Sequence, residues 1–371
     1  MKRHIEIWDT TLREGEQTPG VIFSDYQKID LVYKLKECGI DRVAIMAETS
    51  ESDLEIVKKL ANDPNAANIM SLARMKKESI DLTLGCGVQM IKLLVPVSDI
   101  QIETKFGITR EANVEKALYY VSYCKKMGAK SICVAFEDSS RADINYLIEF
   151  AKSLSGKVDY IVFTDTIGDM IPSEVTDKIK KIKENFAGKL VVHFHNDRGL
   201  ATANTIVAIA AGADAISGTF LGLGERTGNC ALEEVIKDLK DKYENIEISF
   251  DTKKTREVCE LVSKFSGISI HPQKAICGKN AFTHKAGIHF SAVVKNPKNY
   301  ELFRPEEVGM SRTFIYGINS GISSLKYLFK DKYEDSKYKM MIKYLKDMSR
   351  KEQKDYSEFE VREIFKKINI F

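Results

Sequence analysis

The chain has 371 residues, 44% of them hydrophobic and 29% charged, enough for a large α/β domain with an appendage. Lysine and arginine number 56 against 53 aspartates and glutamates; a formal charge of +3 over this length leaves no electrostatic footprint for nucleic acid or an anionic membrane, so small molecules are the expected anionic partners. There is no apolar run of about 18 residues and no signal-peptide core before Ile5, and the seven cysteines lack CxxC spacing, so the expectation is a cytoplasmic protein with reduced thiols.

Short apolar, β-rich runs alternate with helical patterns from the start. Residues 5–10 form the first run, followed by a helix over 24–38 with Ser24 as N-cap and Gly39 closing it. Runs at 42–48 and 68–74 flank a helix over 53–61, and runs at 90–97, 131–138, 160–166, 190–197 and 215–222 bring the number to eight. Helices over 112–127 and 173–185 fall between them. β-α alternation implies a parallel sheet, and eight such units in about 240 residues match a closed (β/α)8 TIM barrel. An open doubly wound sheet fits less well, because no GxGxxG turn follows the first run. Polar residues also recur at the ends of runs one, five, six, seven and eight, which converge on one mouth only in a barrel. After a helix over 231–243 the alternation stops. Residues 252–267 read as helical, 271–320 as irregular, and 323–329, 337–351 and 357–368 as helices, so the expected division is a barrel over 1–245 and a largely helical appended region over 246–371.

Run seven ends in His193-Phe194-His195. Alternation puts both imidazoles on one face, roots about 6–7 Å apart, where they can grip one cation. Asp9, at the end of the first run, is expected to complete a 2-His-1-carboxylate set with open positions, and Arg13 offers a cationic fork for a keto oxygen or developing alkoxide. The plainer reading of residues 9–17 is a capped turn with Glu14 and Glu16 solvated. After run eight, Asn229 offers an amide oxygen as a fourth ligand. Glu137 and Thr166 add polar groups to the same mouth and are candidates for contact with an acid substrate. In the appended region His284, His289 and Tyr300 form a second cluster, able to move protons if that region covers a mouth and incidental if it does not.

Residues 9–17 (DTTLREGEQ), 193–197 (HFHND) with 199–204 (GLATAN), and 222–229 (GLGERTGN) resemble the Claisen-condensing, metal-dependent acyltransferases, namely the homocitrate, 2-isopropylmalate and citramalate synthases. The similarity continues through 137–141 and 282–305 and so covers nearly the whole chain to about residue 312. The resemblance implies a barrel in which Asp9, His193, His195 and Asn229 hold a divalent ion such as Mg, Mn or Zn. A 2-oxo acid chelates that ion, the enolate of acetyl-CoA attacks its carbonyl, and thioester hydrolysis makes the step irreversible. Arg13, Glu137, His289 and Tyr300 take the catalytic roles, with Arg13, Gln17, Arg74, Glu137 and Thr166 around the substrate. The family also implies a homodimer in which the appended region of one subunit covers its partner's barrel.

Residues 97–105, 137–143 (EDSSRAD) and 199–204 look most like homocitrate synthases of the nitrogen-fixation type, which points to 2-oxoglutarate; 2-isopropylmalate, citramalate and citrate synthesis are the alternatives. No leucine-sensing domain, and so no leucine feedback, is expected after the appendage. Lysine-pathway relatives hold the distal carboxylate of 2-oxoglutarate with an arginine where this chain has Cys133, and Arg74 is the expected replacement. Residues 316–321 (YGINSG) stand where many relatives carry Gly-Lys-His-Ser-Gly, which keeps a non-catalytic acyl-CoA-binding relative as an alternative. A hydroxymethylglutaryl-CoA-lyase-like enzyme is disfavoured, because Cys230 follows Asn229 directly, without the glycine-rich, proline-containing loop of that branch.

Overall fold

In the computed structural model, which describes residues 2–368, eight parallel strands close into a barrel in sequence order. They are β1 (Glu6–Asp9), β2 (Arg42–Ala44), β3 (Asn68–Ala73), β4 (Met90–Pro96), β5 (Ile132–Glu137), β6 (Tyr160–Asp165), β7 (Lys189–Phe194) and β8 (Ala215–Gly218). β1 closes the ring by pairing with both β2 and β8. The runs read at 42–48 and 215–222 are shorter as strands. β2 leaves the sheet after Ala44, and Phe220–Gly222 is a 3-10 turn with Leu221 at φ 62°.

Helices surround the strands because each has a local start signal and one apolar face. Ser24 and Gln27 form a reciprocal capping box on the helix Asp25–Glu37, and the Asp143 carboxylate accepts the Tyr146 N–H at 2.9 Å ahead of Ile144–Leu154. The helix Ile144–Leu154 buries Leu147, Phe150, Ala151 and Leu154, positions spaced by three and four. Gly39 ends the first helix at φ +90°, and a Cβ there would meet the Ser249 carbonyl at 2.5 Å, so both conformation and space demand glycine.

The barrel interior is packed. Trp8, Met70, Met90, Cys133, Val162 and Val191 belong to one buried cluster inside it. At the N-terminal end a polar network replaces apolar packing. The Glu6 carboxylate accepts from Trp8 Nε1 at 3.0 Å, Tyr160 Oη at 2.9 Å, Arg42 Nε at 3.2 Å and Lys189 Nζ at 2.5 Å.

The chain divides into two compact units, one carrying the chain to Thr252 with Glu257–Ser269, the other Lys253–Arg256 and the chain from Ile270 on. The helix Thr255–Ser266, read with the appended region in the sequence, therefore belongs mainly to the barrel unit. The second unit has its own core, centred on Phe290, Phe314, Tyr316, Tyr338, Leu345 and Phe365. Its span read as irregular contains a helix, Gly287–Lys295, and a parallel pair of two-residue strands, Thr283–His284 with Thr313–Phe314. Among the described residues no helix is long and apolar enough to cross a membrane.

Burial pushes the Glu6 carboxyl up, but hydrogen bonds from Lys189, Trp8 and Tyr160 and the charge of Arg42 outweigh it and bring the pKa down to about 2. A depressed carboxyl adds stability that is present above the ordinary carboxylate range and lost as pH falls towards 2. Glu6→Gln should therefore lower the unfolding free energy by about 2 kcal/mol at pH 7. Denaturant titrations of both proteins at pH 7 and pH 3 check this, and the gap should narrow at pH 3.

Candidate active site

Three loops at the C-terminal ends of β1, β7 and β8 build the site. Along β1, Trp8 fills the barrel interior, so alternation turns Asp9 to the other face. The fully buried Asp9 carboxylate accepts the Thr11 N–H at 3.0 Å and the Thr11 hydroxyl at 2.7 Å, and the same hydroxyl accepts the Phe220 N–H at 3.0 Å. Burial raises the Asp9 pKa to about 7 against those hydrogen bonds. Asp9 anchors the turn, and the turn swings the following residues inward.

Glu14 is the carboxylate that reaches the histidines. A Glu14 oxygen and one nitrogen each of His193 and His195 all lie within 4.8 Å of one another, with Glu14 Oε1 3.9 Å from His193 Nε2. That spacing suits two ligands on one ion, each at about 2.0–2.2 Å. The placement of Asp9 in the ligand set is thus corrected to Glu14. The Glu14 carboxylate also pairs with the Arg13 guanidinium.

His193 and His195 leave β7 with ring centroids 5.1 Å apart and planes crossing at 83°. The Ser217 carbonyl lies 3.1 Å from His193 Nδ1, which places the proton there and the lone pair on Nε2. His195 forms an isolated bridge with Asn229, bringing the loop after β8 alongside. Asn229 Nδ2 donates to the Leu223 carbonyl at 2.9 Å, and its amide oxygen is left without a hydrogen-bond partner. A Cβ on Gly224 would collide with that amide, which explains the glycine.

His193 Nε2, His195 Nδ1 and Asn229 Oδ1 are all buried without a hydrogen-bond partner, as is Arg13 Nε. Orphaned buried polar atoms are rare, and two imidazoles with unpartnered nitrogens beside the Glu14 carboxylate fit a divalent cation. Burial, reinforced by the charges of His195, Lys92 and Arg13, holds the His193 pKa well below its ordinary value; burial and Arg226 bring His195 down to about 4. Both rings are neutral near pH 7, the form a metal requires. Burial also lowers Arg13 to about 10, opposed by the nearby charge of Glu137.

Other candidates fall at different distances from this centre. Glu137 ends β5 and pairs with Lys105 at 2.6 Å. Thr166 spends its hydroxyl accepting the Asp138 N–H at 2.8 Å, and its carbonyl accepts from Arg226, which also grips Asp197 and so ties the loops after β6, β7 and β8. Gln17 is exposed, its amide 3.4 Å from the Arg13 carbonyl. Arg74, expected at the distal carboxylate, is 61% exposed beside Glu48. Glu16, read as solvated, accepts from the buried Lys28 at 2.9 Å, and Lys28 also holds Asp53 at 2.6 Å.

In the second unit His289 and Tyr300 stack with centroids 4.1 Å apart, both exposed. His284 is buried against Glu301 at 3.1 Å, and Glu301 is held by Arg312. Residues 316–321 form a tight turn, with Ser320 Oγ accepting the Gly317 N–H at 2.9 Å and Tyr316 buried in the core of that unit.

Two residues escaped the sequence reading. Glu14 was detectable from parity, since Trp8 needs the interior. Lys92, a lysine inside the apolar run MIKLLVP of β4, was visible as a charge where burial was expected.

The HMGL-like family matches residues 4–262, and the family described as "Homocitrate synthase post-HMGL domain-like" matches residues 276–353. The chain is 40% identical over 329 residues to 2-isopropylmalate synthase 2 of Caldanaerobacter subterraneus subsp. tengcongensis, covering 88% of this chain and 85% of that one. It is 39% identical over 319 residues to homocitrate synthase AksA of Methanopyrus kandleri, covering 85% and 79% respectively. The (R)-citramalate synthase CimA of Methanocaldococcus jannaschii is 40% identical over 329 residues, 87% of this chain and 66% of that protein. Among solved structures, an HMG-CoA lyase from Bacillus subtilis superposes with a TM-score of 0.63 at 17% identity over 72% of this chain and 95% of the other, a likeness of fold.

Calorimetric titration with Mn²⁺ or Zn²⁺ separates Glu14 from Asp9. Glu14→Gln should weaken binding by more than the ~10–100-fold typical of losing an outer hydrogen-bonding partner, and Asp9→Asn by less than about 10-fold. The reverse ranking would return Asp9 to the ligand set.

Proposed function

The chain belongs to the HMGL-like family, in the branch of the homocitrate, 2-isopropylmalate and citramalate synthases, and from that premise we propose that it condenses acetyl-CoA with a 2-oxo acid. The first candidate acid is 2-oxoglutarate, which gives homocitrate. The observation that carries this reading is the set of orphaned acceptors on His193, His195 and Asn229 beside Glu14 and Arg13.

Glu14, His193, His195 and Asn229 are the proposed holders of a divalent ion such as Mg²⁺, Mn²⁺ or Zn²⁺. Such an ion polarises a chelating oxo acid's carbonyl when bound. Arg13 supplies guanidinium donors to the oxygen that becomes an alkoxide, in a buried setting where such donors act strongly. Glu137, close enough for its charge to act on Arg13, helps hold that guanidinium charged and in place. The methyl group of acetyl-CoA loses a proton, its carbon bonds the keto carbon, the alkoxide takes up a proton, and water cleaves the thioester to give a carboxylate and free CoA thiol. His289 and Tyr300, stacked together, are the proposed proton-moving pair. Gln17 and Thr166 are retained as substrate-side neighbours of Arg13 and of the loop after β7.

A lyase reading is disfavoured by Cys230. It is fully buried, and burial raises its thiol to about 12, far from a reactive thiolate. The proposed assembly is a homodimer with the region from residue 246 as lid and dimerisation element, and the proposed setting is the cytoplasm, consistent with seven buried cysteines.

The test is thiol release from acetyl-CoA with 2-oxoglutarate, oxaloacetate, pyruvate and 2-oxoisovalerate in turn. Turnover should be seen with at least one acid and disappear with a chelator; no release with any of them would leave a binding protein. Arg13→Gln should lower kcat by roughly 10²–10³, the loss typical of one oxyanion donor. His289→Ala should lower kcat by about 10²–10⁴ if that imidazole moves the proton, and light scattering should give twice the monomer mass.

A further inference from the structure

β4 carries a lysine inside the barrel. Met90 belongs to the interior cluster and Leu94 packs against it, and Lys92 lies between them on the same face, in register with the interior Cys133 of β5. Lys92 is 9% exposed. Among the described residues no carboxylate pairs with its ammonium, whereas Arg13, the cation whose charge reaches it, is paired with Glu14.

A buried ammonium without an anion is costly, and burial together with the repulsion of Arg13 brings its pKa down to about 8. The charge of Lys92 reaches His193, and alternation with Val191 on β7 and Met90 on β4 turns both side chains to the barrel interior. β4 is the fourth strand of eight and stands across the barrel from β7 and β8, which carry the proposed ion-holding residues. An oxo acid anchored by its carboxylate and keto oxygen at His193, His195 and Glu14 projects its side chain away from them, towards the wall that contains Lys92.

We propose that Lys92 is the specificity residue of this site, pairing with the distal carboxylate of a dicarboxylic 2-oxo acid. The proposal rests on the oxo-acid reading above and adds the substrate class. It moves the role first expected of Arg74 to a residue in the barrel wall. Pyruvate and 2-oxoisovalerate end in methyl groups and leave the ammonium unpaired; 2-oxoglutarate and oxaloacetate supply the missing charge. An apolar acid placed against Lys92 would strip it of water with nothing in return, so discrimination comes from rejection as well as attraction.

The experiment compares wild type, Lys92→Met and Lys92→Arg, each with Mn²⁺ present, by thiol release and by calorimetric binding of the four acids. The wild type should favour a dicarboxylic acid in both readouts. Lys92→Met should reduce the ratio of kcat/KM for 2-oxoglutarate to that for pyruvate at least tenfold, mainly through KM, and Lys92→Arg should restore part of the ratio. The melting temperature of unliganded Lys92→Met should equal or exceed that of wild type, because an unpaired buried charge has been removed; a lower one marks Lys92 as a packing element and overturns the proposal. A ratio unchanged within twofold, or a wild-type preference for a monocarboxylic acid, also overturns it. If wild type releases no thiol with any acid, the condensation reading falls, and binding alone decides the role of Lys92: selective loss of dicarboxylic acid affinity in Lys92→Met upholds it, and equal affinities in both proteins overturn it.

Discussion

Alternation of side chains across the strands of a closed barrel is the constraint on which the site depends. A parallel barrel offers each strand two faces, and its interior is narrow enough that every inward position is either packed or functional. On β7 that rule turns His193 inward with Val191 below it, and on β4 it turns Lys92 inward with Met90. On β1 the large interior side chain is Trp8, and Asp9 is thereby spent on the opposite face. The chain recovers a carboxylate for the mouth only by turning. Asp9 fixes the turn through Thr11, Thr11 fixes it to the Phe220 N–H, and five residues on Glu14 arrives beside the imidazoles.

The loops that carry the site are held by ion pairs and backbone contacts rather than by depth of packing. Lys28 clamps Glu16 and Asp53, fixing the segment after Glu14 to the neighbouring helix. Thr18 accepts the Gly224 N–H at 2.7 Å, joining the loops after β1 and β8. Arg226 joins the loops after β6 and β7 to that of β8 through the Thr166 carbonyl and Asp197. These ties pre-organise groups whose charges are unfavourable in the barrel: two cations and two imidazoles lie near one another with Glu14 as the paired carboxylate. Buried groups of both signs in one region cost less where each offsets the burial of the other.

Eight strands were legible because each is an apolar run between turn residues, and the barrel followed from their number and from the polar residues at their ends. Strand ends were less legible. The 42–48 run continues apolar past Ala44, and hydrophobicity does not distinguish a strand from the buried loop that follows it. Among site residues His193, His195, Asn229 and Arg13 carried their own signal in spacing and residue type. Asp9 misled because position at a strand end was weighed without its parity. Arg74, expected to replace the arginine that Cys133 displaces, lies 61% exposed beside Glu48. The span 271–320 hid the helix Gly287–Lys295, which starts without a capping side chain and at a glycine where a Cβ would meet the Gly321 backbone.

The segments around Glu14, His193 and Asn229 line the end of the site where the orphaned acceptors lie, and relatives sharing the family are named for three different products. Whatever separates one acid from another has to contact the part of the molecule that differs, and in a barrel anchored at β7 and β8 that part extends towards the facing strands. On that wall Met70 and Cys133 are apolar, while Lys92 carries a charge that no carboxylate among the described residues compensates. Burial makes the ammonium selective: in water it would pair weakly with any anion, whereas in the barrel the difference between a facing carboxylate and a facing methyl is enlarged by the low local dielectric. The feature that costs the empty protein stability is therefore the one able to distinguish substrates.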